Sequence, residues 1–269
     1  LGGFPPKIKK KWQVDVGYEV EAPPSIGNID ADKEREMVFG FDNGTFVALN
    51  PSSSGNSASL KWSFTVPLRY SALAGGNFRG DLAFSAIENI DTDSKNEILF
   101  LEGIGTLPDW PGNIYILEDN GNSATLEANY TLSNGGGRGA PSLVDIDGDN
   151  KFEIIAPSYY GVFVFDYDTP GVLTKKWSNN HGKINGAVAV ADVDKDNEYE
   201  LIYTTHTDLC HASKTCYNRL YITNAKTGVD EVIINLTAVS RTTPAIGDID
   251  NDGDVEIVFN LEDGTGKIA

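Results

Sequence analysis

The side chains that could do chemistry are concentrated in five short segments of one design. Each has an acid or its amide at position 1, aspartate at positions 3 and 5, and glutamate at position 9. The pattern is [D/N]-[I/V]-D-x-D-x-x-x-E, followed each time by Met or an aliphatic residue. The first copy offers Asn28, Asp30, Asp32, Glu34 and Glu36, and the second offers Asn89, Asp91, Asp93, Lys95 and Glu97. The third offers Asp145, Asp147, Asp149, Lys151 and Glu153, and the fourth Asp192, Asp194, Asp196, Glu198 and Glu200. The fifth offers Asp248, Asp250, Asp252, Asp254 and Glu256. In an extended loop, carboxylates at positions 1, 3, 5 and 9 can turn to one centre, and position 7 can add its backbone carbonyl. Left without a cation, such a group would repel itself strongly. Calcium accepts 6–8 oxygens in irregular geometry, whereas magnesium demands a stricter octahedron and zinc prefers the His and Cys that these loops lack. The chemistry predicted is therefore calcium binding, at up to five sites. Five acidic turns without metal are the alternative, and the shared register of all five copies argues against it.

The copies are not equal. Asp145, Asp192 and Asp248 begin loops with four carboxylates at positions 1, 3, 5 and 9, while Asn28 and Asn89 begin loops with three. At position 6, Asn150, Asn197 and Gly253 tolerate a left-handed backbone, which Lys33 and Ser94 do less readily. The last three sites are thus expected to fill at lower calcium than the first two.

The loops begin 47 to 61 residues apart, and their surroundings repeat with them. A short apolar strand precedes each loop, as at Pro24–Gly27, Pro141–Val144 and Pro244–Gly247. A β-rich run follows it, as at Met37–Phe41, Ile98–Leu101 and Ile154–Ala156. A third strand comes after a turn (Thr45–Leu49, Ile114–Leu117, Val162–Phe165, Leu220–Thr223), then a more amphipathic fourth (Leu60–Val66, Ala124–Thr131, Leu173–Ser178, Glu231–Leu236). Four short strands per unit of about 50 residues predict an all-β fold, a β-propeller of about five four-stranded antiparallel blades with one calcium loop per blade, or a fragment of a larger propeller. A β-sandwich or a solenoid is the alternative. The chain, 1–269, reads as one domain with blades near 23–66, 83–133, 141–180, 187–237 and 244–269. An N-terminal strand at 11–16, whose Lys11-Trp12 matches Lys61-Trp62, is expected to close the ring against Ile257–Ala269.

These loops resemble the FG-GAP (VCBS-like) repeat family, which includes the propeller of integrin α-subunits. The resemblance runs through all five loops, and the "GAP" element stands at Gly139-Ala140-Pro141. It implies that each loop lies between the first two strands of a blade and holds calcium. Asn28, Asn89 and the residues at position 6 other than Gly253 depart from the family pattern. Ala48–Pro51 with Leu60–Phe64 is also similar to the outer half of a quinoprotein-type blade, a likeness of packing only.

Composition bounds the rest. A formal net charge of −18 repels nucleic acid and anionic membranes, and no apolar run approaches the length that inserts into a membrane. The start at Leu1 suggests a processed or excised segment. The large calcium requirement points to an extracellular, secreted or cell-surface location. The N-x-S/T sequons at Asn43, Asn129 and Asn235 are consistent with a glycoprotein. Cys210 and Cys216 form either a disulfide stapling a loop or, with His206 and His211, a metal site; an oxidising compartment favours the disulfide. Trp12, Trp62 and Trp177 hold equivalent outer-strand positions expected to pack, whereas Trp110 lies in a Pro/Gly loop that it is expected to anchor, with stacking of a sugar or peptide as the alternative. No nucleophile–base pair, P-loop or H-E-x-x-H is present. The expected role is a binding, adhesion or structural surface module with a protein or glycan ligand. A calcium-dependent polysaccharide lyase is the rival, and it would need Lys, Arg or His converging with carboxylates on one concave face.

Overall fold

The computed structural model describes residues 10–17, 20, 22–30, 32–41, 44–66, 83–91, 93–103, 112–133, 135–137, 139–207 and 216–262. Eighteen strands among them form four antiparallel meanders of four strands and one pair. The first sheet is β1 (Ser25–Gly27), β2 (Glu36–Gly40), β3 (Thr45–Pro51) and β4 (Ala58–Thr65). The second is β5 (Ala83–Glu88), β6 (Glu97–Glu102), β7 (Gly112–Asp119) and β8 (Ala124–Leu132). The third is β9 (Ser142–Val144), β10 (Glu153–Ser158), β11 (Gly161–Thr169) and β12 (Val172–Ser178). The fourth is β13 (Ala189–Ala191), β14 (Glu200–Thr205), β15 (Arg219–Asn224) and β16 (Asp230–Asn235). β17 (Ala245–Gly247) pairs with β18 (Glu256–Val258). Within each sheet sequential strands are neighbours, as the repeat predicts.

The middle strands of the second, third and fourth sheets are apolar on both faces because each of these sheets lies between two others. Side chains alternate across a strand, and here the two sets go to different neighbours. Ile98 and Phe100 of β6 pack with Val38, Phe46, Ala48 and Trp62 of the first sheet. Leu99 and Leu101, the residues between and beside them, pack with Ile154, Ala156, Phe163 and Phe165 of the third. Ile155 of β10 joins Leu201 and Tyr203 of the fourth sheet, and Ile202 of β14 joins Ile246 and Ile257 of the last pair and Phe259 just beyond it. The sheets therefore stack in chain order, face to face.

Their inner strands approach one another closely. Ser25 Oγ donates to Ser85 O at 2.7 Å and Ser142 Oγ to Val188 O at 2.8 Å. A Cβ on Gly139 would lie 2.3 Å from the carbonyl oxygen of Gly186, and one on Gly186 would lie 2.6 Å from the amide nitrogen of Thr243. The glycine of Gly139-Ala140-Pro141 is thus a spacing requirement: successive sheets leave no room there for a side chain.

The expected N-terminal strand is corrected. Residues 10–16 form no strand, and Val14 and Val16 lie on Phe39, Phe41, Val47 and Leu49, the face of the first sheet turned away from the second. Covering these four large side chains removes apolar surface from water, and only single-chain packing is needed to do so. The expected partner segment is described as far as Glu262; residues 263–269, like Asn43, Trp110, Cys210 and His211, lie outside the described residues.

Candidate metal centre

Every acidic segment joins the first and second strands of its sheet, so its glutamate opens the second strand. Glu36, Glu97, Glu153 and Glu200 are at most 2% exposed, while Glu256, on the two-stranded sheet, is half-buried. In all five loops one oxygen of this glutamate accepts the N–H of the aliphatic residue at position 2. The donors Ile29, Ile90, Ile146, Val193 and Ile249 lie at 3.0, 2.8, 2.6, 2.8 and 2.8 Å. That bond closes the loop onto its own sheet. The second oxygen, Oε1, of Glu36, Glu97 and Glu200 is buried with no hydrogen-bond partner.

Each glutamate sits among further carboxylates. Ligand oxygens within 4.8 Å of one another come from Asp145, Asp147 and Glu153, from Asp192, Asp194 and Glu200, and from Asp248, Asp250 and Glu256. These are positions 1, 3 and 9. The first loop instead gathers Asp30, Asp32 and Glu36, and the second gathers Asp91 and Glu97 with Glu127 from β8. Two oxygens bound to one calcium at about 2.4 Å are at most about 4.8 Å apart, so all five sets fit one ion. Burial pushes the glutamate carboxyls up, Glu97 to about 8 and Glu153 and Glu200 to about 7, with nearby aspartates adding to it. Glu36 is raised for the same reason.

The remaining predicted ligands shape the turn. Oδ1 of position 5 (Asp32, Asp93, Asp149, Asp196, Asp252) accepts the N–H of position 7 at 2.6 to 2.9 Å in every loop. Only Asp32 also enters a cluster. The side chains at position 7 turn to other partners: Lys95 to Glu118, Lys151 to Asp168, Glu198 to Asn224 and Lys195 of the same loop to Asp254 of the next. At position 1, Asp145, Asp192 and Asp248 accept the N–H of Asn150, Asn197 and Gly253 at 2.9, 3.1 and 3.0 Å. Those three residues have φ of 68°, 70° and 93°, and Lys33 and Ser94 do not share this conformation. Asn28 and Asn89 use their amide nitrogens on the carbonyls of Asp32 and Asp93, which points an amide donor at the turn where the other loops have an acceptor. The difference read from the sequence at positions 1 and 6 is therefore two turn conformations.

The sequence reasoning missed residues on the fourth strands. Each of β4, β8, β12 and β16 carries a bulge against the third strand at the same place, leaving Lys61, Glu127, Lys176 and Glu231 unpaired in the ladder. A bulge re-aims its side chain. Lys61 Nζ lies 2.6 Å from Asp30 and 3.7 Å from Asp119, and Lys176 Nζ lies 2.9 Å from Asp147, 3.4 Å from Glu153 and 2.8 Å from Asp166. Burial opposes charge on both lysines, yet these carboxylates outweigh it and raise their pKa values. The available signal was the Lys-Trp pair at 61–62 and 176–177. Its tryptophans pack as expected, with Trp62 Nε1 donating to Asp119 and Trp177 Nε1 to the carbonyl of Ala225. The lysines that a lyase reading would want on a concave face are, at positions 61, 95, 151, 176 and 195, held by carboxylates of the loops and their surroundings.

Stacked four-stranded meanders of this kind are shared with solved structures. The exotype rhamnogalacturonan lyase YesX superposes with a TM-score of 0.55 at 16% identity, over 92% of this chain and 46% of that one. BamB from Moraxella catarrhalis gives 0.53 at 13%, over 96% and 65%, and the C-terminal WD40 domain of Sif2 gives 0.55 at 10%, over 93% and 57%. The chain is a β-propeller. Likeness at such identities shows the fold alone, and the propeller spans less than two thirds of the length of each of these three chains. No protein-family model matches it, and no curated protein matches it in sequence. Among the described residues no helix is long and apolar enough to cross a membrane.

Proposed function

We propose that this propeller is a calcium-stabilised extracellular module that binds a protein or glycan ligand or builds a surface assembly. The observation that carries the calcium reading is the buried, unpartnered Oε1 atoms of Glu97 and Glu200, each within a cluster of carboxylates. A buried polar atom without a partner is costly. A hard cation satisfies it and removes the repulsion among its neighbours at once. The all-oxygen sets and their irregular make-up favour calcium over magnesium or zinc. Millimolar calcium outside cells favours that location. Asn129 and Asn235, two of the three sequon asparagines, are exposed on fourth strands, as glycosylation would need.

Equilibrium dialysis against millimolar calcium, followed by metal counting, tests the reading. At least two calcium ions per chain are expected, retained in equimolar magnesium. Fewer than two, or displacement by magnesium, overturns it. The same location requires Cys210 and Cys216 to be a disulfide. Thiol titration of the unfolded, unreduced chain should then give none, and two free thiols would refute the pairing.

A further inference from the structure

The bulge position on the fourth strand carries Lys61, Glu127, Lys176 and Glu231 in successive sheets, so its charge alternates around the propeller. The two loops that begin with asparagine are otherwise closely alike. Both lack a carboxylate at position 1, both turn the asparagine amide onto the carbonyl of position 5, and both have a buried glutamate whose Oε1 has no hydrogen-bond partner. They differ at the bulge. In the second sheet Glu127 brings a carboxylate to Asp91 and Glu97, replacing in kind the one that Asn89 lacks. Tyr167 of the third sheet, 1% exposed, donates its hydroxyl to Glu127 Oε2 at 3.0 Å and so fixes that side chain. Lys95 stands at the rim, paired with Glu118 and 40% exposed, and does not neutralise the centre. In the first sheet the bulge brings an ammonium instead, and Lys61 Nζ lies 2.6 Å from Asp30 with only 8% of the side chain exposed.

We propose that the fourth-strand bulge residue decides which loops take a metal ion: Glu127 is a calcium ligand of the second loop, whereas Lys61 is the resident cation of the first and excludes calcium from it. The proposal rests on the calcium reading above and changes the ranking drawn from the loops alone: the first and second loops are no longer equally weak, and the third, whose Asp147 and Glu153 hold Lys176, no longer ranks with the fourth and fifth. Lys176 acts on the third loop as Lys61 does on the first, through Asp147 and Glu153. Glu231, exposed beside the fourth loop, adds negative charge there. A lysine and a calcium ion cannot share a cluster this small, because two positive centres a few ångströms apart in a partly buried site repel strongly.

The test counts ions bound to the full chain by dialysis and resolves the sites by calorimetric titration, with circular dichroism as the check on folding. Glu127→Gln keeps the shape of the side chain and the hydrogen bond from Tyr167 while removing the charge. It should weaken one site by tenfold or more, in line with the dependence of affinity on ligand charge. Glu127→Lys should remove one ion altogether while leaving the fold intact, since the first sheet is built that way. Lys61→Glu should add one ion. If wild-type protein binds no calcium, the calcium reading itself falls. If it binds calcium and both Glu127 variants leave the count and every affinity unchanged, or Lys61→Glu adds no ion, the assignment of the bulge is overturned and the calcium reading stands.

Discussion

Chelating calcium should lower the melting temperature by about 10–20 °C. Binding to the folded state alone contributes RT ln(1 + [L]/Kd), about 2.7 kcal/mol per site at a hundredfold excess over Kd. Two such sites give about 5 kcal/mol, and a chain of this size shifts by about 2–4 °C per kcal/mol. The gap between chelated and calcium-loaded protein should also widen with pH. In the cation-free fold, Glu97 titrates near 8 and Glu153 and Glu200 near 7, above their ordinary value. A carboxyl raised in the folded state steadies the fold when protonated. That contribution is complete below the ordinary carboxylate range and is lost as pH rises through about 7 to 8. At the loops that take calcium, a bound ion holds Glu97 and Glu200 ionised and flattens the dependence. Melting curves between pH 5.5 and 8.5, with chelator and with calcium, make the comparison. Identical curves at pH 8.5, or a gap that narrows with pH, would contradict this account.

The second large effect lies between the first two sheets. Phe100 is fully buried, and its ring stacks on that of Phe46 with centroids 4.1 Å apart and planes at 10°. Truncating a buried aromatic side chain to alanine typically costs about 3–5 kcal/mol, from lost transfer energy and the cavity left behind. Urea unfolding of Phe100→Ala in saturating calcium should show that loss. Leu60, 60% exposed on β4, serves as the contrast, and Leu60→Ala should change stability by less than about 0.5 kcal/mol. A loss below about 1 kcal/mol for Phe100→Ala would mean that the faces of the two sheets do not seal against each other as described.

The strands of this propeller were legible because their apolar runs are bounded by repeated acidic turns. Glu36, Glu97, Glu153, Glu200 and Glu256 mark the start of a second strand each time, so a single pattern gave both loop and phase. The alternation within β6 was also legible, but not which neighbour each set of side chains meets, since that depends on how sheets stack. The bulges were hidden for a related reason. An extra residue breaks the two-residue period, so alternation along the amphipathic fourth strands does not show where Lys61 and Glu127 point. Lys11-Trp12 misled because it copies the residues of a fourth strand, whereas residues 10–16 form no strand and cover an apolar face of the first sheet. The two turn conformations were foreseeable from Asn28, Asn89, Lys33 and Ser94, because backbone sterics act locally.

The alternation along the middle strands has a consequence for how the molecule comes apart. Among the described residues there is no common centre of hydrophobic contact, only a series of junctions, each made by half the side chains of two adjoining sheets. Energetic coupling then runs from neighbour to neighbour, as in a linear array. The junction made by Ile202, Leu220 and Ile222 is closed on its far side by Ile246 of β17, Ile257 of β18 and the adjoining Phe259. Native-state hydrogen exchange should accordingly be slowest at β6, β7 and β10, which have a full sheet on either side.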